Sequence, residues 1–214
     1  MAYNVKLEKA RKVANFPLTH RFTIYLNITI ESDEKRDHKQ DYSIFHITRG
    51  GDYGAFGERY PALWYRPALG LCVYFDYKFD QRNQMNCFNT VEENQPTTLR
   101  IRMYPKEDGT YFWTYEICIN DESCQQTEIN RHPHPDGVYP YEYGDSWTDV
   151  QLYLSSPWHP PLEAAIIHSF GVNIGNNHFT FVNFYSSETL FYRPICNSVP
   201  TETRILQGHQ LCWH

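Results

Sequence analysis

The chain has 214 residues, a formal net charge of −6 and a 16% share of aromatic residues, including 17 tyrosines and 13 phenylalanines. A net negative charge with scattered lysines and arginines argues against a surface that binds the phosphate backbone of nucleic acids. No stretch reaches the roughly 18 to 20 consecutive apolar residues that a membrane-spanning helix needs. The aromatic bias favours strands over helices, and one all-β sandwich accommodates a chain of this length.

Two features of the chain bear on its compartment. Residues 1–16 are rich in lysine, arginine and glutamate and contain no apolar stretch of the kind that signal peptides carry. The six cysteines, an even number at positions where short cross-strand bridges can form, indicate an oxidising compartment. We therefore expect a secreted, extracellular protein, and whether a signal peptide has been removed is left open.

The clearest predicted strand covers residues 21–30, where apolar and polar residues alternate with a period that no helix produces. After a charged loop at 31–40, further strands are predicted at 42–48, 71–79, 99–103, 111–119, 150–154, 166–174 and 179–185. Asp108-Gly109 predicts a hairpin turn, and the only segment with a weak helical pattern is 5–13. We predict one domain over 1–214, with an N-terminal extension at 1–20, a sandwich core at 21–185 and a tail at 186–214.

Two irregular segments interrupt the strands. A glycine-rich loop follows residue 49, and no helix follows it, so it does not match a dinucleotide or phosphate loop. The stretch 130–147 is rich in proline, tyrosine and histidine. Long loops on a rigid sandwich are frequent sites of recognition, so we expect ligand contacts in these two segments.

The cysteine positions suggest a set of disulfides. Cys118 and Cys124 flank four residues that form a hairpin turn, which brings the two sulfurs opposite each other. Cys72 and Cys87 bracket a second hairpin, and elimination then leaves Cys196 and Cys212 for the tail. Six cysteines allow 15 connectivities, so this set is one of several. Zinc is disfavoured because no C-x-x-C pair occurs.

Candidate modification and metal sites are few. Asn27-Ile28-Thr29 is a glycosylation sequon if the protein is secreted. The side chains of Asp52 and Glu58, joined by Asp145 or Asp149 from a distant loop, supply the oxygen ligands that calcium prefers. His132, Pro133, His134 and Asp136 are more simply interpreted as a solvated, proline-stiffened loop.

No enzyme motif withstands inspection. The acidic residues Glu31, Asp33 and Glu34 break the alternation that paired catalytic carboxylates on one strand require. There is no nucleophile elbow, and every cysteine has a plausible disulfide partner. We therefore expect a protein that binds a ligand without catalysing a reaction.

Three separated runs carry a resemblance to a known fold family. They are SIFHITRGGDYG at 43–54 continued by GERYPALWY at 57–65, GLC at 70–72 with NCF at 86–88, and VQLYLSSPWHPP at 150–161. In order and spacing they resemble the laminin-G-like, pentraxin-like branch of concanavalin A-like jelly rolls found in invertebrate extracellular proteins. The resemblance spans about residues 20–175 and implies a disulfide-braced, antiparallel β-sandwich that binds glycans or proteins, sometimes with calcium.

Three functional hypotheses follow. The first is lectin-like recognition of a glycan or glycoprotein, with aromatic rings as stacking surfaces and polar side chains as hydrogen-bond partners; its predicted contact residues are Asp52, Tyr53, Arg59, Tyr141, Tyr143 and Trp147. The second is a carrier of a hydrophobic small molecule, a carotenoid-type pigment or a lipid, motivated by the surplus of aromatic residues. The third is a structural protein whose aromatic residues form contacts in a homo-oligomer.

Overall fold

The computed structural model describes residues 5–18, 21–52, 58–75, 84–89, 91–105, 112–130, 147–174 and 177–182, and regular structure in this part of the chain is entirely β. None of the described segments forms a helix long and apolar enough to cross a membrane. The strands are Val5–Lys6 (β1), Arg11–Leu18 (β2), Phe22–Ile30 (β3), Tyr42–Thr48 (β4), Ala62–Arg66 (β5), Gly70–Phe75 (β6), Gln84–Phe88 (β7), Pro96–Pro105 (β8), Phe112–Ile119 (β9), Ser123–Asn130 (β10), Trp147–Leu154 (β11), Ala165–Ile174 (β12) and Asn177–Val182 (β13).

The strands form two sheets. The first sheet has the order β1-β12-β3-β8-β9-β10, with β13 also paired to β12, and the second has the order β2-β11-β4-β5-β6-β7. Each of these strand pairs is antiparallel. The predicted fold class, a disulfide-braced antiparallel β-sandwich of the concanavalin A-like jelly-roll type, is confirmed.

One hydrophobic core lies between the sheets. The apolar side chains of β3 alternate with partly exposed ones in the predicted register, and they meet the inward side chains of β5 and β6 from the second sheet. Burying a side chain such as leucine or isoleucine contributes about 1.5–3 kcal/mol. The period-2 pattern of residues 21–30 therefore fixes which face of β3 is inside.

The N-terminal residues are part of the sandwich. The weak helical pattern at 5–13 is a wrong prediction, because β1 pairs with β12 in the first sheet and β2 pairs with β11 in the second. Phe16 and Leu18 of β2 are buried in the core, so pairing and burial override the local pattern. The division into extension, core and tail stays a prediction.

The other predicted elements agree with the structure where it describes them. The strands predicted at 42–48, 111–119, 150–154 and 166–174 occur with small shifts, and the strand predicted at 99–103 is longer, at Pro96–Pro105. The predicted strand 71–79 is described only as far as Phe75. The turn at Asp108-Gly109, the stretch 131–146 and the tail from 183 lie outside the described residues.

Two of the three predicted disulfides are confirmed. Cys72–Cys87 joins β6 to β7, and Cys118–Cys124 joins β9 to β10, in each case between residues that face each other across the strand pair. Cys196 and Cys212 lie outside the described residues.

Candidate functional site

Polar and aromatic side chains gather on the outer face of the second sheet. On β5 and β6 the residues Leu63 and Val73 join the main core, whereas Trp64 and Tyr74 belong to a separate cluster and point the other way. His46 of β4 lies next to this cluster, since it is paired with Ala62 of β5. The face opposite the core is therefore lined by side chains that carry hydrogen-bonding groups.

Arg59 is held against this face by a carboxylate and two rings. Its Nε and Nη2 donate to Oδ1 and Oδ2 of Asp52 over 3.3 and 3.2 Å. Its guanidinium carbon lies 4.5 Å from the ring centroid of Trp64 and 5.6 Å from that of Tyr74. A two-point ion pair and cation–π contacts together fix the orientation of the guanidinium plane.

The segment after β11 folds back over the same face. The amide of Ser156 donates to the hydroxyl of Ser43 over 2.7 Å, and the amide of Ser43 donates to the carbonyl of Pro160 over 2.8 Å. This clamp brings His159 to Asp52, with Nε2 3.1 Å from Oδ2, and stacks its ring 4.4 Å from that of Trp64. Backbone hydrogen bonds thus place a side chain of a distant segment on the Asp52 carboxylate.

Trp158 is the exposed aromatic residue of this face. Its side chain is 43% exposed, which is high for so large an apolar group. Its ring lies 5.3 Å from that of His46 and 6.2 Å from that of Tyr153, both edge to face. These contacts hold one side of the indole while leaving a large part of it open to solvent.

His46 is a buried, neutral histidine. Its Nε2 is hydrogen-bonded to the carbonyl of Glu58, which can only accept, so Nε2 carries the proton and Nδ1 accepts from the hydroxyl of Ser156 at 3.2 Å. Burial lowers the pKa of His46 from 6.5 to about 4, and this effect outweighs the hydrogen bond to Glu58 and the charge of Asp52, which raise it. His46 therefore joins the segments on either side of it without adding charge.

The carboxylate of Asp52 is ionised. Burial raises its pKa, but the hydrogen bonds from His159 and Arg59 and the positive charge of Arg59 outweigh that effect and hold the pKa at about 2. The outer-face cluster, as we name it, thus combines a fixed negative charge, a fixed positive charge and an exposed indole; it consists of His46, Asp52, Arg59, Trp64, Trp158 and His159.

The outer-face cluster unites two of the sequence runs on which the family resemblance depends. His46, Asp52, Arg59 and Trp64 come from the run 43–65, and the remaining two come from 150–161. Sequence reasoning singled out Asp52 and Arg59 but missed the other four members. The signal was present, because all four stand in the quoted runs, yet nothing in one sequence shows that the runs meet.

Of the predicted glycan contacts, Asp52 and Arg59 lie together in the outer-face cluster. Tyr53, Tyr141 and Tyr143 lie outside the described residues. Trp147 begins β11, where it is paired with Leu18 of β2. The predicted set therefore remains a prediction beyond its first pair.

The predicted calcium ligands have different surroundings. Asp52 binds Arg59 and His159, Asp149 is exposed on β11, and Asp145 lies outside the described residues. In the part of the chain that the structure describes, no group of three or more histidine, cysteine, aspartate or glutamate side chains, Glu58 included, is placed to hold a metal ion. The prediction of calcium binding gains no geometric support from these residues.

Asn27, the predicted glycosylation site, lies in the middle of β3. It faces Ser169 of β12 and Thr98 of β8, on the outer face of the first sheet. Its Oδ1 is buried and has no hydrogen-bond partner among the described residues. Thr29, the third residue of the sequon, is hydrogen-bonded to His168 over 2.8 Å. Glycosylation at Asn27 stays a prediction.

Comparison with solved structures places the chain beside β-sandwich carbohydrate-binding domains. The CBM40 of the Ruminococcus gnavus IT-sialidase, bound to α2,3-sialyllactose, has a TM-score of 0.45 and 9% identity and covers 80% of this chain and 91% of its own. Sheep galectin-11 in complex with glycerol has a TM-score of 0.40 and 11% identity and covers 78% and 99%. The exoplasmic/lumenal domain of VIP36, in its Ca²⁺/Man3GlcNAc-bound form, has a TM-score of 0.42 and 11% identity and covers 92% and 89%.

These three proteins are similar to the chain in fold. Identities of 11% or less do not transfer their ligands to this chain. No protein-family model matches the sequence, and no curated protein matches it.

Proposed function

We propose that this protein is a secreted, non-enzymatic glycan-recognition module whose binding site is the outer-face cluster. The observation that carries the proposal is the 43% exposed indole of Trp158 beside the fixed Asp52–Arg59 pair. An exposed ring next to oriented donors and acceptors is the combination that a sugar requires, because a sugar has apolar C–H surfaces and a rim of hydroxyl groups.

The polar half of the site suits hydroxyl groups. A carboxylate at pKa about 2 accepts hydrogen bonds at any physiological pH, and an arginine donates at any physiological pH. Both groups are held before a ligand arrives, so binding does not have to order them. Preformed polar groups of this kind select ligands by geometry, since a buried group left unpaired by a wrong ligand is costly.

The same geometry supports a binding role without catalysis. His46 is the buried base nearest to a hydroxyl, that of Ser156, but both of its ring nitrogens already have partners. Ser156 is itself fully buried and accepts a hydrogen bond from the amide of Trp158. The pair therefore orders the segment that carries Trp158, and we assign it a positioning role.

Secretion is supported by the two disulfides, which persist in oxidising compartments. The laminin-G-like, pentraxin-like branch, calcium dependence and homo-oligomerisation belong to the proposal as predictions. A binding assay repeated with a calcium chelator and light scattering on the purified protein test the last two.

A glycan array followed by titration calorimetry tests the proposal. The wild-type chain is compared with Trp158→Ala, which removes the exposed ring, and with Asp52→Asn, which removes the charge. Tyr25→Ala is the matched control, because Tyr25 is 42% exposed on the outer face of the other sheet. We expect at least tenfold weaker binding for the first two variants, about 1.4 kcal/mol, and unchanged binding for the control.

Two results would count against the site. If no glycan binds with or without calcium, the glycan proposal fails. If Tyr25→Ala weakens binding while Trp158→Ala does not, the ligand lies on the other sheet.

The two alternative functions stay predictions, since no contact described above favours them. A carrier of a pigment would absorb light above about 300 nm, where tyrosine and tryptophan are transparent; a colourless lipid would appear in mass spectrometry of an organic extract. An assembly protein would scatter light as an oligomer.

A further inference from the structure

A second carboxylate–guanidinium pair lies on the same face as the outer-face cluster. Arg66, the last residue of β5, donates from Nε and Nη2 to Oδ1 and Oδ2 of Asp41 over 2.6 and 2.7 Å. The hydroxyl of Tyr74 lies 3.4 Å from the same carboxylate. This pair repeats the geometry of Asp52 and Arg59, with both carboxylate oxygens engaged by one guanidinium.

One tyrosine ring separates the two pairs. The ring of Tyr74 lies beneath the guanidinium of Arg59 at 5.6 Å, and its hydroxyl reaches Asp41. The ring also packs 4.0 Å from that of Trp64. The face therefore presents, in order, a charged pair, an aromatic floor and a second charged pair.

Both pairs are accessible at their edges. The side chains of Arg66 and Asp41 are 28% and 17% exposed, and that of Asp52 is 18% exposed. Arg66 uses its Nε and Nη2 on Asp41, which leaves the Nη1 group outside this pair. Each pair thus combines the acceptor edge of a carboxylate with donor groups of a guanidinium.

We infer that the outer face binds a neutral oligosaccharide of at least two sugar units, with Asp41 and Arg66 forming a second subsite beside the outer-face cluster. This inference rests on the proposed function. Two neighbouring hydroxyl groups of a sugar can donate to the carboxylate and accept from the guanidinium of one pair, so each pair suits one sugar ring. The aromatic floor between the pairs suits the apolar surface of the linkage between the rings.

The balance of charges selects against acidic sugars. Each guanidinium is already neutralised by its own aspartate, so a sulfate or carboxylate on the ligand would approach a carboxylate as closely as an arginine. Like charges at such distances repel, and the ligand's anion would lose hydration without gaining an unpaired cation. The two pairs therefore favour an uncharged ligand.

The test uses an array that contains neutral monosaccharides, neutral oligosaccharides built from them, and sulfated or sialylated counterparts of the same oligosaccharides. The strongest neutral binder and its terminal monosaccharide are then titrated into the wild type and into Arg66→Gln. We expect the oligosaccharide to bind at least tenfold more tightly than the monosaccharide, and its acidic counterpart at least tenfold more weakly than the neutral form.

Arg66→Gln is expected to weaken the oligosaccharide about tenfold and the monosaccharide less than twofold. Asp41→Asn combined with Arg66→Gln removes both charges and is expected to do the same, which separates loss of the donor from exposure of an unpaired carboxylate. Arg102→Gln is the matched control, since Arg102 pairs with Glu116 on the other sheet. A circular-dichroism spectrum and a thermal midpoint check that each variant is folded.

The outcomes separate the two proposals. If sugars bind through Trp158 and Asp52 but Arg66→Gln affects monosaccharide and oligosaccharide equally or not at all, the second subsite is wrong and the proposed function stands. If acidic oligosaccharides bind more tightly than neutral ones, the charge argument is wrong. If no sugar binds, both proposals fail.

Discussion

The buried histidine of the outer-face cluster predicts how stability depends on pH. Burial lowers the pKa of His46 from 6.5 to about 4, so the unfolded chain binds a proton on this residue before the folded chain does. Because the unfolded state holds more protons between pH 6.5 and pH 4, the free energy of unfolding falls as the pH falls through that range. The contribution is fully present above pH 6.5 and is lost by about pH 4.

The size of the effect follows from the shift. One pKa unit corresponds to about 1.36 kcal/mol, so a displacement of roughly two and a half units is worth about 3 kcal/mol. Asp52 contributes below this window, because its pKa falls from 3.8 to about 2 and its stabilising effect is lost only as the pH drops through those values. The two effects therefore separate on the pH axis.

Urea unfolding at pH 7.5, 6.5, 5.5 and 4.5 measures this, with the wild type compared with His46→Gln. Glutamine cannot titrate, so the stability difference between the two proteins is expected to shrink by about 2–3 kcal/mol from pH 7.5 to pH 4.5. His168→Gln, on the first sheet, is the control for other histidines and should leave the wild-type slope intact. An unchanged difference between wild type and His46→Gln across these pH values would refute the assignment of His46 as a buried, neutral residue.

Three further predictions concern stability. Gly70→Ala should cost at least about 2 kcal/mol in urea unfolding, because φ is +80° there and a Cβ would lie 2.0 Å from the carbonyl oxygen of Phe88; a neutral result would show that the turn can shift. Replacing both cysteines of a bridge by alanine should cost about 3 kcal/mol for the Cys72 pair and about 2 kcal/mol for the Cys118 pair, since their loops span 15 and 6 residues; the reverse order would contradict the chain-entropy reasoning. Arg59→Lys should lower the free energy of unfolding by about 1–3 kcal/mol, because lysine cannot reproduce the two-point bond to Asp52, and a thermal midpoint equal to that of the wild type would argue against that bond.

Much of the fold could be predicted because strand signals are local. The alternation at 21–30 fixes both the strand and its buried face, and the spacing of Cys118 and Cys124 specifies a hairpin. The N-terminal strands could not be predicted in the same way. In β2, lysine and arginine interrupt the alternation, and the segment is a strand because β11 supplies its hydrogen bonds and the core buries Phe16.

The site was predictable only in part. Asp52 and Arg59 could be chosen because a charged pair beside a glycine-rich loop suggests recognition. His159 could not, because its partner is 107 residues away and the approach depends on the clamp between Ser43 and the segment after β11. Periodicity assigns a residue to a face, but it does not say which loops cross that face.

His46 illustrates why the chemistry of the site depends on the fold as well as on residue types. As a residue in an alternating strand it looks like a polar side chain on the solvent side, and an exposed histidine titrates near pH 6.5. In the sandwich it is enclosed by Trp64 and Trp158 and bonded to the carbonyl of Glu58 and the hydroxyl of Ser156. Those two partners belong to the two separated runs, so the neutral imidazole links the segment that carries Arg59 to the segment that carries Trp158. Protonating it would add a charge beside Arg59 and require Nδ1 to donate where it now accepts, which couples the pH dependence of stability to the geometry of the proposed sugar site.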